Sequence, residues 1–455
     1  MSQIDGRPAE LDHLDRHYSS TLPTPDTASL VELMQTYKVP GVSIAAGDLN
    51  GALWLAGYGS TSSTEANPIT SRTIFQACSI SKHVAAFGTM RLVDQGVLDL
   101  DADIAGYLTS WQLPVGEDGW RPRITLRQLL SHTAGLSYNW FPGFGPEDPV
   151  PTMEQTLRGE PPANTPPVLA SLMPGSQFRY SGSHYAVLQQ LLTDVTKTPF
   201  DELMRALVFE PAGLADSNYR QDFPSRRPGQ VAIAHYPPGT PVTGGWQTIP
   251  EMAGAGLWTT PGDLVRLDLE IARAAKGKSA LLSQDSASQM LTPQVPDGMG
   301  LGTEVETTDG QPWFGHSGSN VGYRCFTMAW PELGTSVAAM TNSDNGTELL
   351  MSVRASAQRY FSAAAPEPDG SLTPDQVAGR YLLREDFAID IEADQATLSI
   401  TAPGQPPAEL APLPGGRYRF PGLDTQVWFE REEDAIVMRV RQEGGTLSAQ
   451  RQSDQ

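Results

Sequence analysis

The chain has 455 residues, of which 39% are hydrophobic and 43 are glycine, an ordinary globular composition with room for two or three domains. With 31 basic against 52 acidic side chains its formal charge is −21, so nucleic-acid phosphates and anionic membrane surfaces would repel it, and neither is an expected partner. Two cysteines, Cys78 and Cys325, can build neither a disulfide framework nor a cysteine-based zinc site.

The N-terminal stretch Met1–Ser20 is polar and acidic, without the basic-then-apolar run of a secretory signal, and no stretch is apolar enough for a membrane span. The chain thus reads as cytoplasmic. His13 and His17 share a helix face, but no third ligand accompanies them, so no metal is expected there. Gly41–Gly59 is two apolar β-prone runs joined at Asn50-Gly51, a strong hairpin signal. A helical pattern then runs from Ile80 to about Gln95, with Ser79 as its N-cap and Gly96 as its stop. Ile124–Ser131 reads as a short helix capped by Thr125. Gly135–Pro167, rich in proline, glycine and aromatics, reads as a long irregular segment of the kind that shapes binding sites.

Helices are expected at Ser183–Val195, Phe200–Ala212 and about Glu348–Phe361, and strands at Tyr323–Trp330 and Ser336–Thr341 with a turn at Pro331–Gly334. Strands at both ends of a helical middle suggest one antiparallel sheet closed by the two chain ends, an α/β (α+β) architecture with a helical subdomain. Ala363–Ser371 reads as a linker, which places a first domain at residues 1–365 and a second at 366–455. Beyond the linker, runs such as FAIDIEA, ATLSITA and AIVMRVR alternate with turns, the pattern of a small all-β barrel or sandwich.

Chemistry concentrates at Ser79-Ile80-Ser81-Lys82. Positions i and i+3 share a helix face, so the Ser79 hydroxyl and the Lys82 amine can meet. A helix N-terminus also offers free N–H groups to a developing oxyanion. A serine alcohol needs an adjacent base, and a lysine made neutral by desolvation can supply one. Gly315-His-Ser-Gly-Ser319 nearly spells a hydrolase elbow, but its last residue is serine and the strand–turn–helix order is missing, which argues against Ser317 as a nucleophile. His132 reads as structural, in a turn after a helix, and Cys78 as a small buried apolar residue.

Five blocks occur in order: FQACSISK (75–82), ITLRQLLSHTAGL (124–136), PGSQFRYSG (174–182), GAGLWTTPGDL (254–264) and GHSGSN (315–320). This arrangement resembles the serine β-lactamase/penicillin-binding-protein-like superfamily, in its class C, esterase and D-aminopeptidase branch, over roughly residues 30–360. The resemblance implies Ser79 as the acylated nucleophile, Lys82 as the lysine sharing its proton, and Tyr180 as the tyrosine that relays a proton to the leaving group. It implies that His316-Ser317-Gly318 edges the site as a substrate-binding strand, with the backbone N–H groups of Ser79 and Ser319 as the oxyanion hole. Lys82 and Tyr180 would then titrate as a coupled pair, the lysine's charge lowering the phenol.

Two departures matter. Gly182 stands at a substrate-binding position where the motif has an asparagine that hydrogen-bonds an acyl-side amide. His316 replaces a lysine that helps bind a substrate carboxylate, although a neutral histidine can still donate a hydrogen bond. Both argue against efficient β-lactam hydrolysis. The expected function is hydrolysis of small esters, amides or short D-amino-acid peptides through an acyl-enzyme, with neither metal nor organic cofactor. A biosynthetic acyltransferase of the same chemistry is the alternative, and a non-catalytic ligand-binding protein on this fold is a second. The C-terminal domain resembles the lipocalin-like barrels appended to some of these enzymes, which implies a capping role.

Overall fold

The computed structural model describes residues 30–452 apart from 115–118, 120, 296–297, 309, 363–371, 385–386, 395–396, 414–416, 421–424, 433–434 and 443–444. His13, His17 and the linker expected at Ala363–Ser371 lie outside the described residues. The described residues divide into two compact units: one holds those from Leu30 to Glu306 and Pro312–Ala357, and the other those of 307–311 and from Gln358 onward.

The first unit is built on a six-stranded antiparallel sheet made from segments near that unit's two ends. Its strands are β1 (Gly41–Asp48), β2 (Leu53–Gly59), β3 (Glu304–Thr308), β4 (Gln311–Asn320), β5 (Tyr323–Trp330) and β6 (Thr335–Thr341), in the order β2-β1-β6-β5-β4-β3. The Asn50-Gly51 turn closes β1 onto β2 with Ala46 opposite Trp54, and Gly51 takes the positive φ of 97° that favours glycine there. Residues 331–334 turn β5 into β6. Because β1 and β6 pair along their length, the first and last strands meet only in the folded chain.

Helices cover this sheet: α1 (Leu30–Tyr37), α2 (Ile80–Asp94), α3 (Gly182–Thr196), α4 (Pro261–Ala275) and α5 (Gly346–Ser362). In α2 every residue from Ile80 to Met90 is buried, including Ser81, Lys82 and His83. A helix surrounded on all sides keeps its polar groups only if each finds a special environment. Gly88 shows how tight the packing is, since a Cβ there would meet the Met204 side chain at 2.6 Å. Helix α4 packs across β1, β5 and β6. Thr260 caps it by accepting from the Asp263 N–H, with Pro261 in its first turn, a start signal written in the sequence.

One buried polar knot joins α2, α4 and the sheet. Asp268 Oδ1 lies 3.1 Å from His83 Nε2, and its other oxygen accepts from the hydroxyls of Thr327 and Ser336. Removing the carboxylate would leave several buried donors unpaired. Asp268→Ala is therefore expected to cost about 3 kcal/mol or more, read as a lowered urea midpoint with unchanged slope.

Two expectations are revised. The Gly135–Pro167 segment is not wholly irregular: Met153–Arg158 is helical, with a reciprocal capping box between Thr152 and Gln155. The expected helix at Phe200–Ala212 forms, but Arg205–Phe209 within it is a π-helical turn.

The second unit is a closed eight-stranded antiparallel barrel spanning Gly379–Arg384 to Gly445–Arg451, its first and last strands paired at Tyr381–Arg451 and Leu382–Gln450. Alternate residues point inward, and Tyr381, Ile391, Leu398, Phe429 and Met438 fill the interior. Closure removes the unpaired edges that an open sheet would expose. Among the described residues of the whole chain, no helix is long and apolar enough to cross a membrane.

Candidate active site

Ser79 sits at a sharp bend. Phe75–Gln76 pairs with Trp258–Thr259 as a short ladder, and Ala77 N–H donates to the Leu257 carbonyl at 2.8 Å. Cys78 then takes φ +50°, a left-handed conformation that strains a non-glycine residue, and α2 begins. Ser79 occupies the N-cap position as expected from sequence, yet its side chain does not cap the helix. Its hydroxyl is turned to Lys82 instead, whose Nζ lies 3.0 Å away.

Lys82 is 2% exposed, and burial pushes its pKa down to about 7, only partly opposed by the Cys78 sulfur. Nζ donates to the Gly254 carbonyl at 2.7 Å. That bond holds the amine in place while leaving its lone pair for the Ser79 proton once Lys82 is neutral. The Tyr180 and Tyr185 rings enclose it, with centroids 4.9 and 5.7 Å from Nζ.

Tyr180 completes the cluster through a side-chain hydrogen bond with Ser79. Burial pushes its phenol well above the ordinary tyrosine value, so it stays protonated at neutral pH. The expectation that Lys82 would lower the phenol is thus revised: burial suppresses the lysine's charge and the tyrosine's ionisation together. His132, buried and at φ +58°, stacks on Tyr180 with centroids 4.3 Å apart. Its Nδ1 accepts from the Ser181 N–H at 3.3 Å and lies 3.1 Å from His184 Nδ1, which also faces the Ser181 carbonyl. This pair, both members held neutral by burial, fixes the backbone that carries Tyr180.

Strand β4 forms the opposite wall. Gly318 lets it approach the bend, because a Cβ there would meet Cys325 Sγ at 2.5 Å, the Ala77 carbonyl oxygen at 2.7 Å and Cys78 Cβ at 2.8 Å. Asn320 Nδ2 pins the strand's end to Gln76 Oε1 at 2.8 Å and to the Ala255 carbonyl at 3.0 Å. His316 is buried and its pKa is pushed down to about 3 by burial and then by Lys82. Its Nδ1 donates to the Ser317 carbonyl at 2.6 Å, so Nε2 carries a lone pair, and it has no partner. The nitrogen expected to donate a hydrogen bond therefore carries a lone pair instead, and it is itself buried. Ser79, Tyr180, His316, Ser317, Gly318 and Ser319 all line one pocket of about 680 Å³, together with Glu304 and residues of β5 and α5.

The sequence profile of the Beta-lactamase family matches residues 27–358. The chain belongs to the β-lactamase family. It is 26% identical over 301 residues to Penicillin-binding protein 4 of Amycolatopsis lactamdurans, covering 62% of this chain and 75% of that one. It is 30% identical over 180 residues to Esterase EstB of Burkholderia gladioli, covering 37% of this chain and 43% of the esterase. An octameric penicillin-binding protein homologue from Pyrococcus abyssi has a similar fold over 92% of this chain and 98% of its own, with TM-score 0.59 and 22% identity.

Within this β-lactamase-family frame, Gly182 does not line the pocket. It is the buried first residue of α3, and a Cβ there would meet the Phe141 ring at 2.5 Å and the Asn139 carbonyl oxygen at 2.8 Å. Phe141, from the aromatic segment after Gly135, fills the space an asparagine side chain would need. The same ring would lie 2.6 Å from a Cβ on Gly254, so one aromatic residue makes glycine necessary at two motif positions. Gly254, Phe141, His184 and Glu304 were not singled out from the sequence. Gly254 acts through its carbonyl, and the others become relevant only through long-range packing.

Proposed function

We propose that the protein is a serine acyl hydrolase acting through a Ser79 acyl-enzyme on small esters, amides or short peptides. The observation that carries this reading is the buried Lys82 amine, 3.0 Å from Ser79 Oγ and held on the Gly254 carbonyl, with a pKa near 7. Ser79 Oγ attacks the substrate carbonyl as its proton passes to neutral Lys82. The tetrahedral oxyanion is received by the N–H groups of Ser79 and Ser319. The Tyr180 phenol, kept protonated by burial, passes a proton to the leaving group and recovers one from Lys82. Water entering from the pocket then resolves the ester by the reverse route.

The direct test is intact-protein mass after brief exposure to p-nitrophenyl propionate. The wild type is expected to gain the propionyl mass, or to release nitrophenol continuously if deacylation is fast, and Ser79→Ala to do neither. Nitrophenol release that survives Ser79→Ala sinks the reading. Adding an amine acceptor and assaying for its acylated product separates hydrolysis from transfer.

A further inference from the structure

Three polar side chains are buried in a row on α2, and each has its own partners. Lys82 reaches Ser79, and His83 meets Asp268. Ser81, 0% exposed, lies two residues on from Ser79 and so faces almost the opposite way around the helix. Its Oγ accepts the Leu257 N–H at 3.0 Å and is hydrogen-bonded to the Cys78 carbonyl. A backbone N–H can only donate and a carbonyl can only accept, so the single hydroxyl proton goes to Cys78.

The Cys78 carbonyl belongs to the same peptide as the Ser79 N–H. That peptide is trans, so the two groups point in opposite directions. Among the described residues no protein acceptor takes the Ser79 N–H, and Ser79 lines the pocket. The carbonyl end is thus anchored inside the protein while the N–H end is left open. This peptide follows directly on Cys78, whose φ of +50° is one that a non-glycine residue resists. The anchor is itself held: the Leu257 carbonyl accepts the Ala77 N–H at 2.8 Å, and Tyr219 donates to the Ser81 carbonyl at 2.6 Å. A hydrogen bond received by a peptide carbonyl also makes the N–H of that peptide a stronger donor.

Resting on the acyl-enzyme reading above, we infer that Ser81 is a positioning residue for the oxyanion site, its hydroxyl aiming and polarising the Cys78–Ser79 peptide whose N–H receives the developing charge. The Ser81 N–H reaches the same carbonyl at 3.0 Å, so loss of the hydroxyl loosens this peptide without freeing it. The expected loss is therefore about tenfold in acylation, short of the roughly 10²–10³-fold that follows removal of a whole oxyanion donor.

The test compares p-nitrophenyl propionate with its thiono analogue, in which sulfur, a weak hydrogen-bond acceptor, replaces the carbonyl oxygen. The wild type is expected to favour the oxo ester in kcat/KM well beyond the preference that hydroxide shows. Ser81→Ala is expected to slow the oxo ester about tenfold and the thiono ester less than about twofold, so the preference shrinks. Ser81→Thr, which keeps a hydroxyl, is expected to restore it. Because Ser81→Ala also strips the Leu257 N–H of its acceptor, rates are taken per Ser79 site counted by fluorophosphonate labelling. The pH at half-maximal rate should stay near 7, since the contacts of Lys82 are unchanged. A preference in Ser81→Ala equal to that of the wild type, whether both rates hold or both fall together, overturns the inference. So does a wild-type preference no larger than that of hydroxide. If Ser79→Ala is inactive in either case, the acyl-enzyme reading stands. If Ser79→Ala cleaves both esters as fast as the wild type, both readings fall.

Discussion

Replacing Lys82 by methionine is expected to lower the rate of Ser79 acylation by about 10²–10⁴-fold, the range a positioned general base contributes. The methionine fills a similar volume, so the loss reports the missing amine. The wild-type pH profile should carry the same signature. With the Lys82 pKa at about 7, kcat/KM for an ester without ionisable groups is expected to rise with pH, reach half its maximum near pH 7 and level off above. A profile flat from pH 5 to 9 would remove Lys82 as the base.

The same burial makes a stability prediction of opposite sign. Lys82 titrates at about 7 in the folded protein against 10.5 as its ordinary value, so the unfolded chain holds more protons between those two points. Stability from this group therefore rises with pH across that window, and below about pH 7 the full desolvation cost is present, on the order of 5 kcal/mol. Lys82→Met removes that cost but leaves the buried Gly254 carbonyl without its donor. The net expectation is a variant about 1–2 kcal/mol more stable than wild type at pH 6–7, an advantage that shrinks as the pH approaches 10. Parallel melts of both proteins across this range would show it, and a variant less stable at every pH would contradict it.

Gly318→Ala is expected to reduce acylation by at least about 100-fold and to destabilise the first unit by about 2 kcal/mol. The added Cβ would lie 2.7 Å from the Ala77 carbonyl oxygen and 2.5 Å from Cys325 Sγ. A backbone carbonyl cannot rotate away, so β4 must retreat from the bend that carries Ser79. Moving the Ser319 N–H by even about 1 Å relative to the Ser79 N–H spoils their joint aim at an oxyanion, which is worth orders of magnitude in rate. The activity loss should appear mainly in acylation, while the pH at half-maximal rate stays near 7, because Lys82 is untouched. A variant with normal activity would show that β4 does not have to approach this closely.

Local spacing made part of this molecule legible. The i, i+3 placement of Ser79 and Lys82 depends only on helix geometry, and the Asn50-Gly51 hairpin, the Thr125 cap and the alternating C-terminal strands are each written within a few residues of chain. The β5–β6 pair and α5 were readable for the same reason, and the order of the five motif blocks pointed to the family that the profile match then showed. Less legible were elements whose signal is carried by contacts: α4, half hidden behind a motif, the barrel strand Ala408–Leu413, and the π-helical turn Arg205–Phe209.

The sequence by itself determined which residue types could meet at Ser79, because periodicity puts a hydroxyl and an amine on one face. Only the tertiary structure decided what those groups are chemically. The Lys82 amine titrates at about 7 because Tyr180, Tyr185 and the segment bearing Gly254, all far away in sequence, bury it. His316 became an acceptor when its Nδ1 hydrogen went to the Ser317 carbonyl, and Gly182 became a packing residue when Phe141 occupied its side-chain space. Charge state and hydrogen-bond polarity depend on the surrounding dielectric and partners, and those are assembled only when distant segments close around the site.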